Sequence, residues 1–258
     1  MSGEAEIPGI RINKEQLDII CSRYYFASQF VVGKKVLEIG CGAGLGLGYL
    51  SQLAENVIGS DLNEDNLMLA RRHYKNRVRL LQFDAHKIPF QDESFDVVVA
   101  LATVNYLRLD EFLEESHRVL KKGGILVFCM PNKEIAGFRA SPLSRRYYTI
   151  AELSEIMYSG FDAKFYGGFP VKGKPQRKHP LRNMILTIIG RGIGLIPKGE
   201  KIRGYLSRLI LHTLVLSEEI ESGMVDYIQP EYLPSGSSNN HFRVIYVVAT
   251  VKKEGMER

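Results

Sequence analysis

Residues 36–50 read VLEIGCGAGLGLGYL, an apolar strand closed by an acid and followed at once by glycines at every second position. A chain that turns this tightly from strand toward helix, with Gly40, Cys41, Gly42, Ala43 and Gly44 in the turn, leaves main chain bare of side chains. A flat or extended ligand can lie directly against it. The next apolar strand, NVIGSD, ends in a second acid, Asp61, about twenty residues past the glycines. At that spacing a carboxylate can accept hydrogen bonds from both hydroxyls of a ribose. Strand, bare turn and second acid together imply an open α/β sheet with a nucleoside site at the carboxyl ends of its strands.

The glycine spacing also separates two kinds of nucleoside ligand. A dinucleotide fingerprint needs a third glycine three places after the second, where the helix packs beside a pyrophosphate. Counted from Gly40 or Gly42, the sixth position is Leu45 or Leu47, so G-x-G-x-x-G fails in both registers, while E-x-G-x-G-x-G holds from Glu38 to Gly44. In this pattern the chain resembles the class I S-adenosylmethionine (AdoMet) methyltransferases. The resemblance implies that the turn from Gly40 to Gly44, with Glu38 before it and Cys41 within it, holds the methionine part of AdoMet. It further implies that Asp61 holds the ribose and that Asp84, after the third strand, faces the adenine amino group. Leu62, Ala85 and Leu101, beside these positions, complete the expected cofactor contacts.

The resemblance continues through LLQFDAHKIPFQDESFDVVVALATVNYL. In HRVLKKGGILVFCMPN it matches the family's crossing to the fifth strand, where Gly123 and Gly124 are expected to end the helix and Ile125 to Met130 to return to the sheet. Residues 20–170 and a last strand fit; about a quarter of the chain does not. Each marker also has a plainer use. Glycine turns occur for packing alone, Asp61 could cap the helix beginning near Asn63, and Asp84 could be an ordinary loop acid. Their joint order, each at the carboxyl end of a strand, argues for the cofactor.

A chain of 258 residues, 45% hydrophobic, can bury one sheet with helices on both faces. The opening MSGEAEIPGIRINKEQ has no apolar core behind a basic start. Neither signal peptide nor membrane anchor is expected there, and a cytoplasmic location is. Cys21, Cys41 and Cys129 are widely separated and fit no metal spacing, so free buried thiols are expected, with no disulfide and no metal.

Asn13, answered by Gln16, reads as a capping box opening a helix that carries Leu17, Ile20, Tyr24 and Phe26 to Phe30. In related methyltransferases such a segment folds over the cofactor, and RYYFA at residues 23–27 resembles a recurring element of bacterial members. An aromatic face within about 6 Å of a sulfonium stabilises it by roughly 0.5–2 kcal/mol, so Tyr24 is a candidate cofactor contact. Core packing of Tyr24 and Tyr25 is the alternative. Helix and strand then alternate over Asn63 to Tyr74, Val78 to Phe83, Phe95 to Leu101, Leu109 to Leu120, Ile125 to Met130, Ile150 to Met157 and Phe161 to Tyr166. HFRVIYVVATVKK reads as a last strand. The expected organisation is a single domain over 1–258, with an N-terminal helical cover (1–34), an AdoMet-binding core (35–170), an insertion (171–240) and the last strand (241–252). The resemblance implies a doubly wound, Rossmann-like sheet of seven strands in the order 3-2-1-4-5-7-6, strand seven antiparallel, with a helical insertion before it.

That insertion is basic in its first half: Lys172, Lys174, Arg177, Lys178, Arg182, Arg191, Lys198, Lys201, Arg203 and Arg208 stand against Glu200. It carries much of the net charge of +5. Its apolar faces, Ile185 to Ile189 and Ile193 to Ile196, are too short and interrupted to cross a bilayer. The segment can meet a phosphate-bearing acceptor, rest peripherally on an anionic membrane, or simply cover the site as a solvated helix. Its GLIPKGEKIRGYL, with the final VIYVVATVKK that follows the insertion, resembles methyltransferase-like proteins associated with bacterial surface-polysaccharide and sugar modification, which points to a sugar, nucleotide-sugar or glycan acceptor. A lipid, quinone or natural product is the alternative acceptor, and a non-catalytic AdoMet-binding protein the alternative role. Nucleic acid is disfavoured despite a pI near 9.0. After the fourth strand stands ALATVNYL rather than an Asn/Asp-Pro-Pro-aromatic run, and the chain has no tryptophan for base stacking.

Methyl transfer from a sulfonium is an in-line displacement, in which alignment and exclusion of water do most of the work. A hydroxyl acceptor would still benefit from a base. His86 and His241 are the weak candidates, with His179 and His212 in the insertion behind them and His117 less suited, each having a structural alternative. Asn105 and Tyr106, just past the fourth strand, are the expected acceptor contacts, a helix cap being their alternative use.

Overall fold

The computed structural model describes residues 6–171 and 214–252. A short strand β1 (Arg11–Ile12) leads to α1 (Lys14–Ser28), whose capping box forms as expected: Asn13 Oδ1 accepts the Gln16 N–H at 2.8 Å and Gln16 Oε1 accepts the Asn13 N–H at 2.9 Å. Then follow β2 (Lys35–Ile39), α2 (Leu47–Ser51), β3 (Asn56–Asp61), α3 (Glu64–Tyr74), β4 (Arg79–Gln82), β5 (Phe95–Leu101), a 3-10 turn (Val104–Tyr106), α4 (Leu109–Val119), β6 (Leu120–Pro131), α5 (Ile150–Met157) and β7 (Phe161–Pro170). The second described stretch carries β8 (Leu214–Val215), β9 (Glu231–Leu233) and β10 (Phe242–Val251).

The sheet runs β4-β3-β2-β5-β6-β10-β7-β9. Its first seven strands reproduce the expected 3-2-1-4-5-7-6 order, β10 being the antiparallel last strand between β6 and β7. The eighth, β9, comes from the insertion and pairs antiparallel with β7, Phe165 opposite Leu233. Three residues on an edge carry too little apolar alternation to stand out in sequence. The insertion was expected to be helical. Its described part, residues 214–240, forms β8, β9 and loop but no helix, and the basic run from Lys172 to Arg208, with His179 and His212, lies outside the described residues.

The glycine pair before the fifth strand of the expected order also differs. The helix stops at Val119, and Gly123 and Gly124 lie within β6 rather than at its cap. Phe95 pairs with Leu120 and Val97 with Ile125, so residues 121–124 bulge opposite Asp96 alone, with Gly123 at φ +74°. A strand with a wide bulge needs φ > 0 just as a helix end does, so the dipeptide alone cannot choose between them.

Both faces of the sheet are covered because its strands alternate between two apolar sets. Val36, Val57, Val97, Val99, Val127 and Tyr246 face one side, and Leu37, Ile58, Val98, Leu126, Phe128 and Val247 the other. Burying each such side chain contributes roughly 1.5–3 kcal/mol. Helices α4 and α5 cover the second face. On the first, α1 is buried all round from Ile19 to Ser28 because it is sandwiched. Phe26 packs on Tyr246 (ring centroids 4.7 Å apart) toward the sheet, and Tyr25 packs on Tyr227 (5.9 Å) in the returning insertion. That return is pinned by polar contacts: Tyr25 Oη donates to the Glu221 carbonyl, and His73 on α3 lies 3.0 Å from Glu218 and 2.7 Å from Glu219. Among the described residues no helix is long and apolar enough to cross a membrane.

Candidate active site

The parallel strands β2, β3 and β5, and the loop after β4, all end at one cavity of about 670 Å³. The turn after β2 is built by three left-handed glycines, Gly40 (φ +69°), Gly42 (φ +57°) and Gly44 (φ +84°). They do different jobs. A methyl group on Gly40 would lie 2.4 Å from the Thr103 side chain, and one on Gly44 2.9 Å from the Tyr74 ring, so both are packed from behind. At Gly42 nothing lies within 4 Å of that position. Its bare face is a cavity wall. Tyr74, fully buried on α3, buckles the turn by donating to the Gly44 carbonyl at 2.7 Å and accepting the Gly48 N–H at 3.0 Å.

Asp61 ends β3 beside this wall. Its Oδ2 accepts the Gly42 N–H and its Oδ1 the Asn63 N–H, both at 2.8 Å. The helix-capping role that Asp61 might have filled belongs instead to Asn63, whose side chain accepts from Asp65 and Asn66. Each Asp61 oxygen keeps a second lone pair. Asp84 lines the cavity across from it. Its Oδ1 accepts the His86 N–H at 3.0 Å, and that bond, with the His86 ring, draws the carboxyl below its ordinary range. Leu62, Ala85 and Leu101 are apolar parts of the same wall.

Tyr24 lies at the cavity and is also packed into the core. Its ring covers Gly46. Its hydroxyl donates to Glu38 Oε1 at 2.8 Å. Glu38 itself, like Gly44, sits behind the cavity wall and does not line it. Beside Tyr24, the nearly buried Arg23 pairs with Glu6 at 2.7 Å, and both reach the cavity. Burial works against the Arg23 charge, but Glu6, together with Cys129 and Tyr246, holds its pKa above the ordinary arginine value.

The histidines divide clearly. His86 lines the cavity, but its Nε2 accepts the Arg108 N–H at 2.9 Å, which puts the ring proton on Nδ1, facing Asp84 Oδ1. Both nitrogens are engaged, so the ring clamps the loop after β4 to the start of α4. His241 lies outside the cavity, where its N–H donates to Asn239 Oδ1 at 3.0 Å, and His117 packs edge-on against Phe161.

Past β5, Ala102 takes a left-handed φ of +56° and Thr103 Oγ1 donates to the Gly40 carbonyl at 3.3 Å. Strain of about 1–3 kcal/mol in a non-glycine residue at a cavity wall is characteristic of a functional turn. Asn105 and Tyr106 follow, as expected, on the cavity side. Sequence reasoning passed over Thr103, and also the loop after β6, which brings Ser141, Leu143 and Tyr147 to the same cavity. Nothing periodic marks that loop in the sequence.

A family model described as a methyltransferase domain matches residues 37–128, the stretch from β2 to β6 that carries the glycine turn, Asp61 and Asp84. The chain carries a class I AdoMet-dependent methyltransferase domain. Over 114 residues it is 40% identical to phthiotriol/phenolphthiotriol dimycocerosates methyltransferase 1 of Mycobacterium ulcerans, covering 42% of each protein. Over 102 residues it is 40% identical to a fatty-acid O-methyltransferase of Mycolicibacterium smegmatis, covering 38% of this chain and 37% of that one. The match thus spans about two fifths of each relative. A SAM-dependent methyltransferase from Archaeoglobus fulgidus superposes with a TM-score of 0.55 at 17% identity over 92% of this chain and 94% of that one, a likeness of fold. The match to the family model ends within β6, before the loop after β6 and the insertion.

Proposed function

We propose that the chain transfers the methyl group of AdoMet to a small-molecule acceptor with a long apolar part. The observation that carries this reading is the convergence on one cavity of the bare Gly42 face, Asp61 and Asp84, with Asn105 and Tyr106 beside them. These residues fit AdoMet, which when bound supplies an electrophilic sulfonium methyl. The main chain from Gly40 to Gly42 holds the methionine part, Asp61 accepts the ribose hydroxyls and Asp84 the adenine amino group, with Leu62, Ala85 and Leu101 against the base and sugar. Tyr24 closes the sulfonium end.

The apolar acceptor is supported by the cavity rim. Tyr106 and Leu143 line the cavity yet are 43% and 69% exposed, an apolar border open to solvent. The names of the two mycobacterial relatives, which concern dimycocerosates and fatty acids, support the same class. The sugar or glycan reading rests on residues 194–206, which lie outside the described residues, together with the last strand, and peripheral membrane contact rests on the basic run, also outside them.

Calorimetry with AdoMet tests the cofactor site. Transfer of labelled methyl from AdoMet to a panel of long-chain lipids, quinones, nucleotide sugars and RNA tests the acceptor. Binding without label in any acceptor would favour a non-catalytic AdoMet-binding role, and label in the nucleotide sugars alone would reverse the lipid assignment.

A further inference from the structure

Asn105, in the 3-10 turn after β5, lines the cavity and is 2% exposed, and its Oδ1 has no hydrogen-bond partner among the described residues. The rest of the residue is fixed. Its Nδ2 donates to Ser144 Oγ at 2.8 Å, and its carbonyl accepts the Arg145 and Arg146 N–H groups at 2.8 and 3.2 Å. Ser144 Oγ lies 2.8 Å from Tyr147 Oη, which accepts the Ser141 N–H at 3.2 Å. Tyr147 Oη accepts the Ser141 N–H and lies within hydrogen-bond reach of Ser144 Oγ, which in turn accepts from the Asn105 NH2 group, so the amide oxygen is the uncommitted atom.

A buried amide oxygen without a donor is destabilising, and a ligand that brings an O–H or N–H recovers that loss. An ionised carboxylate brings only lone pairs and would meet the amide oxygen as like to like. We propose that Asn105 Oδ1 recognises the atom that receives the methyl group through its proton, so that the acceptor is a long-chain alcohol or amine and not a carboxylic acid. This rests on the methyl-transfer reading. For an alcohol, the oxygen donates its hydrogen bond to Oδ1 and offers a lone pair to the methyl carbon. The C–O bond forms as the C–S bond breaks, the C–S electron pair stays on sulfur, and the hydroxyl proton leaves to water. Asn105 takes no proton. Ser144 and Tyr147 are positioning residues that keep the amide from turning over.

The test uses the full chain, with hexadecanol, hexadecylamine and hexadecanoic acid as matched acceptors, and reads their binding in the presence of S-adenosylhomocysteine as well as methyl transfer from AdoMet. The alcohol or the amine is expected to bind at least about tenfold more tightly than the acid. Asn105→Leu should raise the KM for that acceptor about tenfold or more with AdoMet affinity unchanged. Tyr147→Phe and Ser144→Ala, which each remove part of the chain holding the amide, should narrow the alcohol-to-acid ratio, and Ser144→Thr, which keeps the hydroxyl, should leave most of it intact. Preference for the acid, binding of none of the three, or an unchanged KM in a folded Asn105→Leu chain overturns the proposal. Failure of AdoMet itself to bind overturns the methyl-transfer reading instead.

Discussion

The Tyr24 hydroxyl donates to Glu38 Oε1 across 2.8 Å with both side chains almost wholly buried, and Glu38 Oε2 has no partner among the described residues. This single bond joins α1 to the end of β2, immediately behind the glycine turn, so the N-terminal helix and the cofactor loop share one polar anchor. Burial pushes the Glu38 carboxyl from 4.5 up to about 7. The Tyr24 bond opposes that rise, and the neighbouring Asp61 charge adds to it.

Stability should therefore fall as pH rises through the interval between those two values. Within it the folded chain holds the Glu38 proton and the unfolded chain has released it, so the native state binds more protons and loses ground with each unit of pH. At about 1.4 kcal/mol per unit, the full interval amounts to roughly 3 kcal/mol. Glu38→Gln removes the titration. The difference in unfolding free energy between the native chain and the variant, measured in urea, should shift against the native chain from about pH 4.5 to about pH 7. Parallel curves would rule out a buried, proton-holding Glu38.

Gly46 tests the other side of Tyr24. Its φ of −106° suits any residue, so the constraint is purely steric: an added methyl would lie 2.0 Å from Tyr24 Cε1. Gly46→Ala should cost about 1–3 kcal/mol of stability through overpacking. Combined with Tyr24→Ala, which removes the clashing ring, it should cost less than the sum of the two single changes. Additive thermal-denaturation values would mean that the ring does not cover this glycine.

The half of the cavity proposed to hold the cofactor was legible in sequence because its constraints are local. Gly40, Gly42 and Gly44 need left-handed backbone, Asp61 ends a strand and Asp84 follows one closely, and Asn13 with Gln16 announces a helix, each a pattern contained within a few residues. The acceptor half was not, because it is assembled by long connections. Tyr147 reaches Asn105 through Ser144 across a stretch with no periodicity, and His86 is paired on both nitrogens by Asp84 and by the Arg108 main chain, a bond no spacing encodes. The eighth strand, β9, owes its place to β7 rather than to its own three residues.

Asp61→Ala should weaken AdoMet about tenfold to over a hundredfold, since hydrogen bonds to a charged acceptor are worth roughly 1.5–3 kcal/mol. The structure adds a second cause. Asp61 also fixes the Gly42 N–H and the Asn63 N–H, so its removal loosens the turn against which the cofactor lies. Asp61→Asn keeps one acceptor oxygen and should fall between the native chain and the alanine variant. Calorimetry reads the order directly, circular dichroism checks the fold, and unchanged affinity in the alanine variant would remove Asp61 from the site.

His86 separates a clamp from a base. A base at the cavity would lose about a hundredfold or more in turnover on truncation and would carry the pH dependence of kcat with it. A clamp behaves differently. Because Nε2 accepts from Arg108 and Nδ1 faces Asp84, His86→Ala should leave two polar partners unmatched, lower stability by about 1–3 kcal/mol and raise the KM for AdoMet through the freed Asp84 loop. The pH profile of kcat should keep its shape. Glutamine offers one acceptor and one donor in roughly the same places, so His86→Gln should recover much of both losses although it cannot act as a base. Turnover that collapses equally in the glutamine and alanine variants at saturating AdoMet would instead make His86 the proton acceptor.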